Sequence, residues 1–285
     1  MPDEPPADDA LARWRRLVRR REAVIAEIRA RTGDTGDYWT ARAATFGRLM
    51  RAGGPNPALD FILPAIDSAT TVLDVGAGSG RFAIPLARVA RQVTAVEPSA
   101  ALLGFLRDDA AAAGIGPDQL RTVAATWEDA ATPAADVVLC ANVLTPIAEI
   151  APFLRKLIAH ARRRCYIVLR AMPMDAPLAD LWQRIHGVPY PRETSHADAY
   201  AVFDALGIAA NVTILPSPSP LWTFVSPADA ARFARDRLWL GPEGQDQRAD
   251  TLLADWLAAT LARDGDCWRI PAPPPRTAVL WWDQP

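Results

Sequence analysis

Three glycines alternate with small residues directly after an apolar run that carries an acid: Val72-Leu73-Asp74-Val75-Gly76-Ala77-Gly78-Ser79-Gly80. Glycines at such a turn adopt positive φ and let a ligand approach the backbone, while amides at the start of the next helix point into the pocket. The chemistry this serves is the gripping of a nucleoside-bearing cofactor. Spacing narrows the choice. A dinucleotide fingerprint requires G-x-G-x-x-G, whereas position 81 is Arg and the third glycine comes one residue early, at Gly80. No G-x-x-x-x-G-K-[ST] occurs in the chain, so a phosphate-binding P-loop is excluded. A second chemical position lies further on. Residues 91–97 read as a short strand ending at Glu97, and Pro98 stops it. A carboxylate there can accept both hydroxyls of a ribose diol. Between the two, Phe82, Ile84, Leu86, Ala87 and Val89 suit a helix over 82–90 lying on a sheet, which makes 72–97 one β-α-β unit.

The D-x-G-x-G-x-G pattern after a hydrophobic strand resembles motif I of the class I S-adenosylmethionine (SAM) dependent methyltransferases, of the small-molecule type. The resemblance extends over 71–170 and, by general plan, beyond. It implies SAM as cofactor, with Asp74, Gly76, Ala77, Gly78 and Gly80 at its amino acid end and Glu97, followed by Pro98, at its ribose. Thr126 stands where relatives usually place an acid beside adenine, which leaves Trp127 as an apolar or stacking wall. Asn142 and Val143 close the fourth strand under the sulfonium, and Thr145 stands where many small-molecule relatives carry His. Residues 36–46 resemble the Y-W-x-x-R-A segment that folds over the cofactor in such relatives, which implicates Tyr38, Trp39, Arg42 and Phe46. The alternative, that Trp39 and Phe46 only dock a helix on the sheet, stays open.

The elements that must position these groups read as an α/β chain: a Rossmann-like seven-stranded sheet with its last strand antiparallel, flanked by helices. Strands are expected over 120–125, 135–144 and 166–170, with an amphipathic helix over 150–162. Ahead of them, Asp8 or Asp9 caps a helix whose Leu11, Trp14, Leu17, Val18, Val24, Ile25 and Ile28 follow a 3.6-residue period. Its other face carries Arg13, Arg15, Arg16, Arg19, Arg20 and Arg21 and reads as solvated. Beyond the core, helices over 178–185, 196–206 (capped by Ser195 and ended by Gly207), 227–239 and 246–263 accompany strands over 211–215 and 277–282. The expected division is an N-terminal helical cap over 1–70 and a methyltransferase domain over 71–285. The core of that domain is 71–170 with 196–215 and 277–285, and 216–275 is a helical insertion acting as a lid.

Bulk properties narrow the partners. A chain of 285 residues holds one elaborated domain or two small ones, and a formal charge of −2 offers no general attraction to polyphosphate, so no nucleic-acid partner is expected. Cys140, Cys165 and Cys267 form no C-x-x-C pair and read as buried thiols of a reducing cytoplasm. No cluster suggests a metal, and no apolar run is long enough to span a membrane.

SAM supplies its own leaving group, so a protein of this kind mainly aligns nucleophile, methyl and sulfur and excludes water. A hydroxyl or ammonium acceptor also needs a proton acceptor. The candidates are His186, His196, Tyr190 and Tyr200, with Glu193 beside them; His160 reads as solvent-facing or dipole-stabilising. The expected function is methyl transfer to an O, N, S or C nucleophile of a small molecule, a secondary metabolite among the options. Methylation of a peptide or protein side chain, or a catalytically quiet SAM-binding partner, are the alternatives.

Overall fold

The structure, a computed structural model, describes residues 9–32, 54–173, 175–216 and 222–284. Its first half runs α1 (Ala10–Thr32), α2 (Pro57–Ile62), β1 (Thr71–Val75), α3 (Ala83–Ala87), β2 (Gln92–Val96), α4 (Ala100–Ala112), β3 (Leu120–Val123), β4 (Ala135–Ala141), α5 (Ile150–His160) and β5 (Ala161–Arg170). The second runs α6 (Ala179–His186), α7 (His196–Ala205), β6 (Asn211–Pro216), β7 (Thr223–Phe224), α8 (Pro227–Arg237), α9 (Gln247–Thr260), β8 (Ala262–Asp264), β9 (Cys267–Arg269) and β10 (Arg276–Asp283).

Seven strands form one sheet in the order β3-β2-β1-β4-β5-β10-β6. The first five pair in parallel, and β10 lies antiparallel between β5 and β6. Both faces are covered, so successive residues of one strand enter different cores. Leu73 and Val75 face α1, α5 and α7 in a core with Trp14, Val18, Leu154 and Phe203, while Val72 faces α2, α3 and α4 with Ile62, Leu86 and Leu106. Strand order reverses between β1 and β4, and in open α/β sheets ligands bind in the crevice at the carboxyl ends of such strands.

Helix ends follow local chemistry. Ser99 caps α4 by accepting from the Leu102 amide, and Ser195 and Asp198 make a reciprocal capping box at α7. Gly187, with φ 75°, ends α6 in the left-handed region. Lys156 of α5 spends its ammonium on the turn after β3: it donates to the carbonyls of Trp127 (2.6 Å), Glu128 (2.9 Å) and Ala130 (2.8 Å).

Several boundaries differ from the sequence reading. The helix expected over 82–90 is confined to Ala83–Ala87. The strand expected from 166 begins at Ala161, because β4 pairs from Ala135↔Ala161 and β10 extends the ladder to Asp283↔Arg164. Tertiary pairing overrides the helical periodicity of 161–162. A second sheet, in the order β7-β9-β8, lies inside the expected insertion and was not foreseen; strands of two or three residues are too short to show a period. The arginine face of α1 is engaged rather than simply solvated. Arg15 and Arg19 pair with Glu149, Arg13 with Asp198, and Arg21 with Glu193 at 2.7 Å. Finally, Ile28 of α1 joins Leu181 and Trp182 of α6, Ala234 of α8 and Leu253 of α9 in a separate core, so the cap draws on α1 and α6 as well as on residues between β6 and β10.

Candidate active site

Each end of β1, β2 and β4 contributes one part of the crevice. The loop after β1 is pinned to β2 because the amides of Gly76 and Ala77 both donate to the Val96 carbonyl, at 2.8 and 3.0 Å. Gly76 has φ 74°, and a Cβ placed there would stand 2.2 Å from Val143 Cγ2, so the close approach of the β1 and β4 ends requires glycine. Gly78 has φ 55°, and its missing Cβ would face open space. The backbone of Gly78 is therefore bare on the side its Cβ would occupy, among the described residues.

Glu97 follows β2 and is 7 % exposed. Its Oε2 accepts from the Gly78 amide at 3.0 Å and its Oε1 from the Ser99 amide at 2.9 Å. A carboxylate has about four acceptor positions, so about two stay available to a diol. Burial raises the Glu97 pKa against these two amide bonds. Asp74, one strand away and 1 % exposed, takes the amide of Ala83, and its Oδ2 has no partner among the described residues. Burial, and then the charge of Glu97, push its carboxyl up to about 7.

From the far side, Asn142 sits at φ 58°, exposed, with its amide donating to the Val168 carbonyl at 2.8 Å. Left-handed non-glycine residues are uncommon, and Asn is the type that tolerates the region best. Pro98 is exposed and leads into the Ser99 cap, while Thr126 is exposed with its hydroxyl on Asp129 at 2.8 Å. Trp127 is turned inward: it is 3 % exposed, its indole N–H reaches the Phe153 carbonyl at 3.3 Å, and the Lys156 ammonium lies 4.7 Å from its ring centre. Tyr38, Trp39, Arg42 and Phe46 lie outside the described residues.

The four candidate proton acceptors are scattered in role. His186 has Nε2 on the Leu238 carbonyl at 2.7 Å and its ring 4.5 Å from that of Trp182, and burial lowers its pKa. The Tyr190 hydroxyl donates to Asp175 Oδ2 at 2.7 Å, and burial, then Asp175, push its pKa up. Tyr200 is 45 % exposed on α7. His196 opens α7, and its Nδ1 is buried with no partner among the described residues. Glu193 is held by Arg21, and His160 Nδ1 lies 2.8 Å from the Lys156 carbonyl.

Sequence reasoning missed one polar cluster. Asp175, 4 % exposed just past β5, receives both the Tyr190 hydroxyl and the Arg237 guanidinium, the latter at 3.1 Å, while Arg21 lies over the Tyr190 ring. Its partners stand 15 and 62 positions away, beyond the reach of any local spacing rule. Among the described residues no group of three or more His, Cys, Asp or Glu could hold a metal, and no helix is long and apolar enough to cross a membrane.

Residues 72–164 match the family described as methyltransferase domain. The ubiquinone biosynthesis O-methyltransferase of Methylocella silvestris is 36% identical over 85 residues, which is 30% of this chain and 32% of that protein, so the chain spans about a third of the length of the curated relative it matches. A candidate methyltransferase from Bacillus halodurans C-125 superposes with a TM-score of 0.56 at 14% identity, over 81% of this chain and 100% of the other. Coclaurine N-methyltransferase, crystallised with N-methylheliamine and SAH, superposes with a TM-score of 0.50 at 16% identity, over 97% and 94% of the two chains. At these identities the two structures attest the Rossmann-like fold alone.

Proposed function

We propose, from the match of residues 72–164 to the methyltransferase domain family, that the whole chain binds SAM at the carboxyl ends of β1, β2 and β4 and catalyses methyl transfer to an O, N, S or C nucleophile of a small molecule. The observation that carries the reading is the Glu97 carboxylate. It is oriented by two backbone amides, those of Gly78 and Ser99, and keeps acceptor positions for a ribose diol beside the open backbone of Gly78. Those residues fit a nucleoside, and the orphaned buried oxygen of Asp74 fits a site completed by a ligand.

SAM, when bound, supplies an electrophilic methyl on a sulfonium leaving group. The chain's own work is alignment and exclusion of water. In this reading Glu97 holds the ribose, Gly76, Ala77, Gly78 and Gly80 line the amino acid end, and Asn142 with Val143 form the floor. Pro98 and Thr126 edge the adenine side, with Trp127 supporting that turn from within the core. Tyr38, Trp39 and Arg42, outside the described residues, are assigned to the cofactor by the resemblance alone. His196, whose buried Nδ1 lacks a partner among the described residues, is the proton acceptor where the nucleophile carries a proton. His186 and Tyr190 act as supports, being engaged by Leu238 and Asp175.

The small-molecule choice is supported by the similarity to the ubiquinone O-methyltransferase. Calorimetry with SAM tests the site: Glu97→Ala loses hydrogen bonds to a charged acceptor, each about 1.5 to 3 kcal/mol, and equal affinity for the variant would remove the assignment. Labelled SAM incubated with the protein and a host extract tests the activity. A small product carrying one added methyl is expected; label in a polypeptide would move the acceptor to a protein side chain, and no label despite SAM binding would leave a quiet binding protein.

A further inference from the structure

Two carboxylates stand beneath the glycine loop, and their surroundings treat them differently. Glu97 accepts two amides, from Gly78 and Ser99, an arrangement that favours the ionised form. Asp74 accepts one, from Ala83, and leaves Oδ2 without a partner among the described residues in a site 1 % exposed. The groups facing Asp74 are Glu97 from β2, the buried Cys140 thiol from β4 and the Ala83 amide from α3. A buried carboxylate with one hydrogen bond and an anionic neighbour is strongly disfavoured against the neutral acid. Such a pair separates into one ionised and one protonated member.

We propose that Asp74 carries a proton while the loop is empty and gives it up to solvent when a cationic ligand occupies the loop, so that binding of SAM is proton-linked through this side chain. The inference rests on the SAM reading above. The only bond broken is the Asp74 O–H, and the proton passes to buffer. Burial and Glu97 place the carboxyl at about 7, so the proton is exchangeable near neutrality. A positive charge above the loop favours the carboxylate, the form that the empty site disfavours. SAM carries the sulfonium charge and SAH, its demethylated product, does not, so SAH displaces the proton less. Acidic conditions then weaken SAM more than SAH, so the ratio of SAM to SAH affinity falls as pH falls.

The test is calorimetry at about pH 7 in two buffers that differ in ionisation heat. Wild-type protein is expected to release about half a proton on binding SAM at that pH, rising toward one at lower pH, and less on binding SAH, and its SAM affinity is expected to rise by up to about tenfold per pH unit below that point. Asp74→Asn is expected to bind SAM with no buffer dependence. Should that variant not fold, the infrared difference spectrum of the wild type on SAM addition must show loss of a protonated carboxyl C=O band. Buffer-independent binding heats for the wild type, or an unchanged carboxyl band, overturn the proposal while leaving SAM binding intact. Absence of SAM binding at all overturns the underlying site reading, and the proposal with it.

Discussion

The indole N–H of Trp14 donates to the carbonyl of Ile147 across 2.7 Å, fastening the first helix to the loop that follows β4. The ring is fully buried in the core shared with Leu144 and Phe203, and Arg15 and Arg19 grip Glu149 just beyond. Trp14→Ala is expected to destabilise the protein by about 3 to 5 kcal/mol. Trp14→Phe keeps most of the packing and abandons the carbonyl, for about 1 to 2 kcal/mol. Urea unfolding measures both, and SAM affinity of the folded fraction should change far less than stability.

Gly76 and Gly78 separate two uses of glycine. Gly76→Ala drives a Cβ into Val143 Cγ2 at 2.2 Å, so stability and SAM affinity should both fall, and Val143→Ala in the same chain should restore part of the stability. Gly78→Ala meets open space and carries only the left-handed backbone penalty, about 1 to 2 kcal/mol, yet should cost SAM affinity because its methyl occupies the ligand's side of the loop. Chemical denaturation combined with calorimetry distinguishes these patterns; equal behaviour of the two variants would contradict the geometry.

Asp74 sets a stability profile in the ligand-free protein. Its carboxyl titrates at about 7 folded against an ordinary 3.8, so across that window the native state holds the extra proton. Stability then falls as pH rises from about 4 to about 7, by an amount on the order of a few kcal/mol from this one group, and is flat outside the window. Melting temperatures from pH 4 to 8 should show this falling component, and Asp74→Asn should remove it.

Asp175 binds two unlike partners in a nearly dry place. Asp175→Ala takes the buried carboxylate away from both the Arg237 guanidinium and the Tyr190 hydroxyl and should cost about 3 to 5 kcal/mol. Tyr190→Phe removes one neutral donor and should cost about 1 kcal/mol. If Tyr190 is a support, the phenylalanine variant keeps its maximal transfer rate within a few-fold; a drop of a hundredfold or more at unchanged stability would make it the proton acceptor instead.

What could be read without the structure was local and contiguous. Asp74 through Gly80 lies within seven residues and Glu97 follows the next strand, so the loop and the carboxylate beside it were both visible, as were the Ser195 cap and the Gly207 stop. Residue type alone does not say which way a ring turns: Trp127 has the right neighbours for a cofactor wall and instead fills the core under α5. Charge patterning likewise misjudged Arg21, whose partners Glu193 and the Pro191 carbonyl come from a loop about 170 positions along the chain. The Asp175 cluster escaped for the same reason, and the β7-β9-β8 sheet because its strands are shorter than one period of any pattern.

The chain contains thirty arginines and a single lysine, Lys156. An ammonium has three donors arranged tetrahedrally, which suits the three carbonyls of residues 127, 128 and 130; a planar guanidinium does not have that shape. The only side-chain amine in the protein thus has three donors engaged by backbone carbonyls of the fold. Amine-directed labels should leave this position untouched in the native state and modify it once the turn after β3 opens, and a lysine-specific protease should cut there only in unfolded chains. Position 156 is therefore a built-in reporter, whose rate of acylation reads out how often that part of the sheet comes apart.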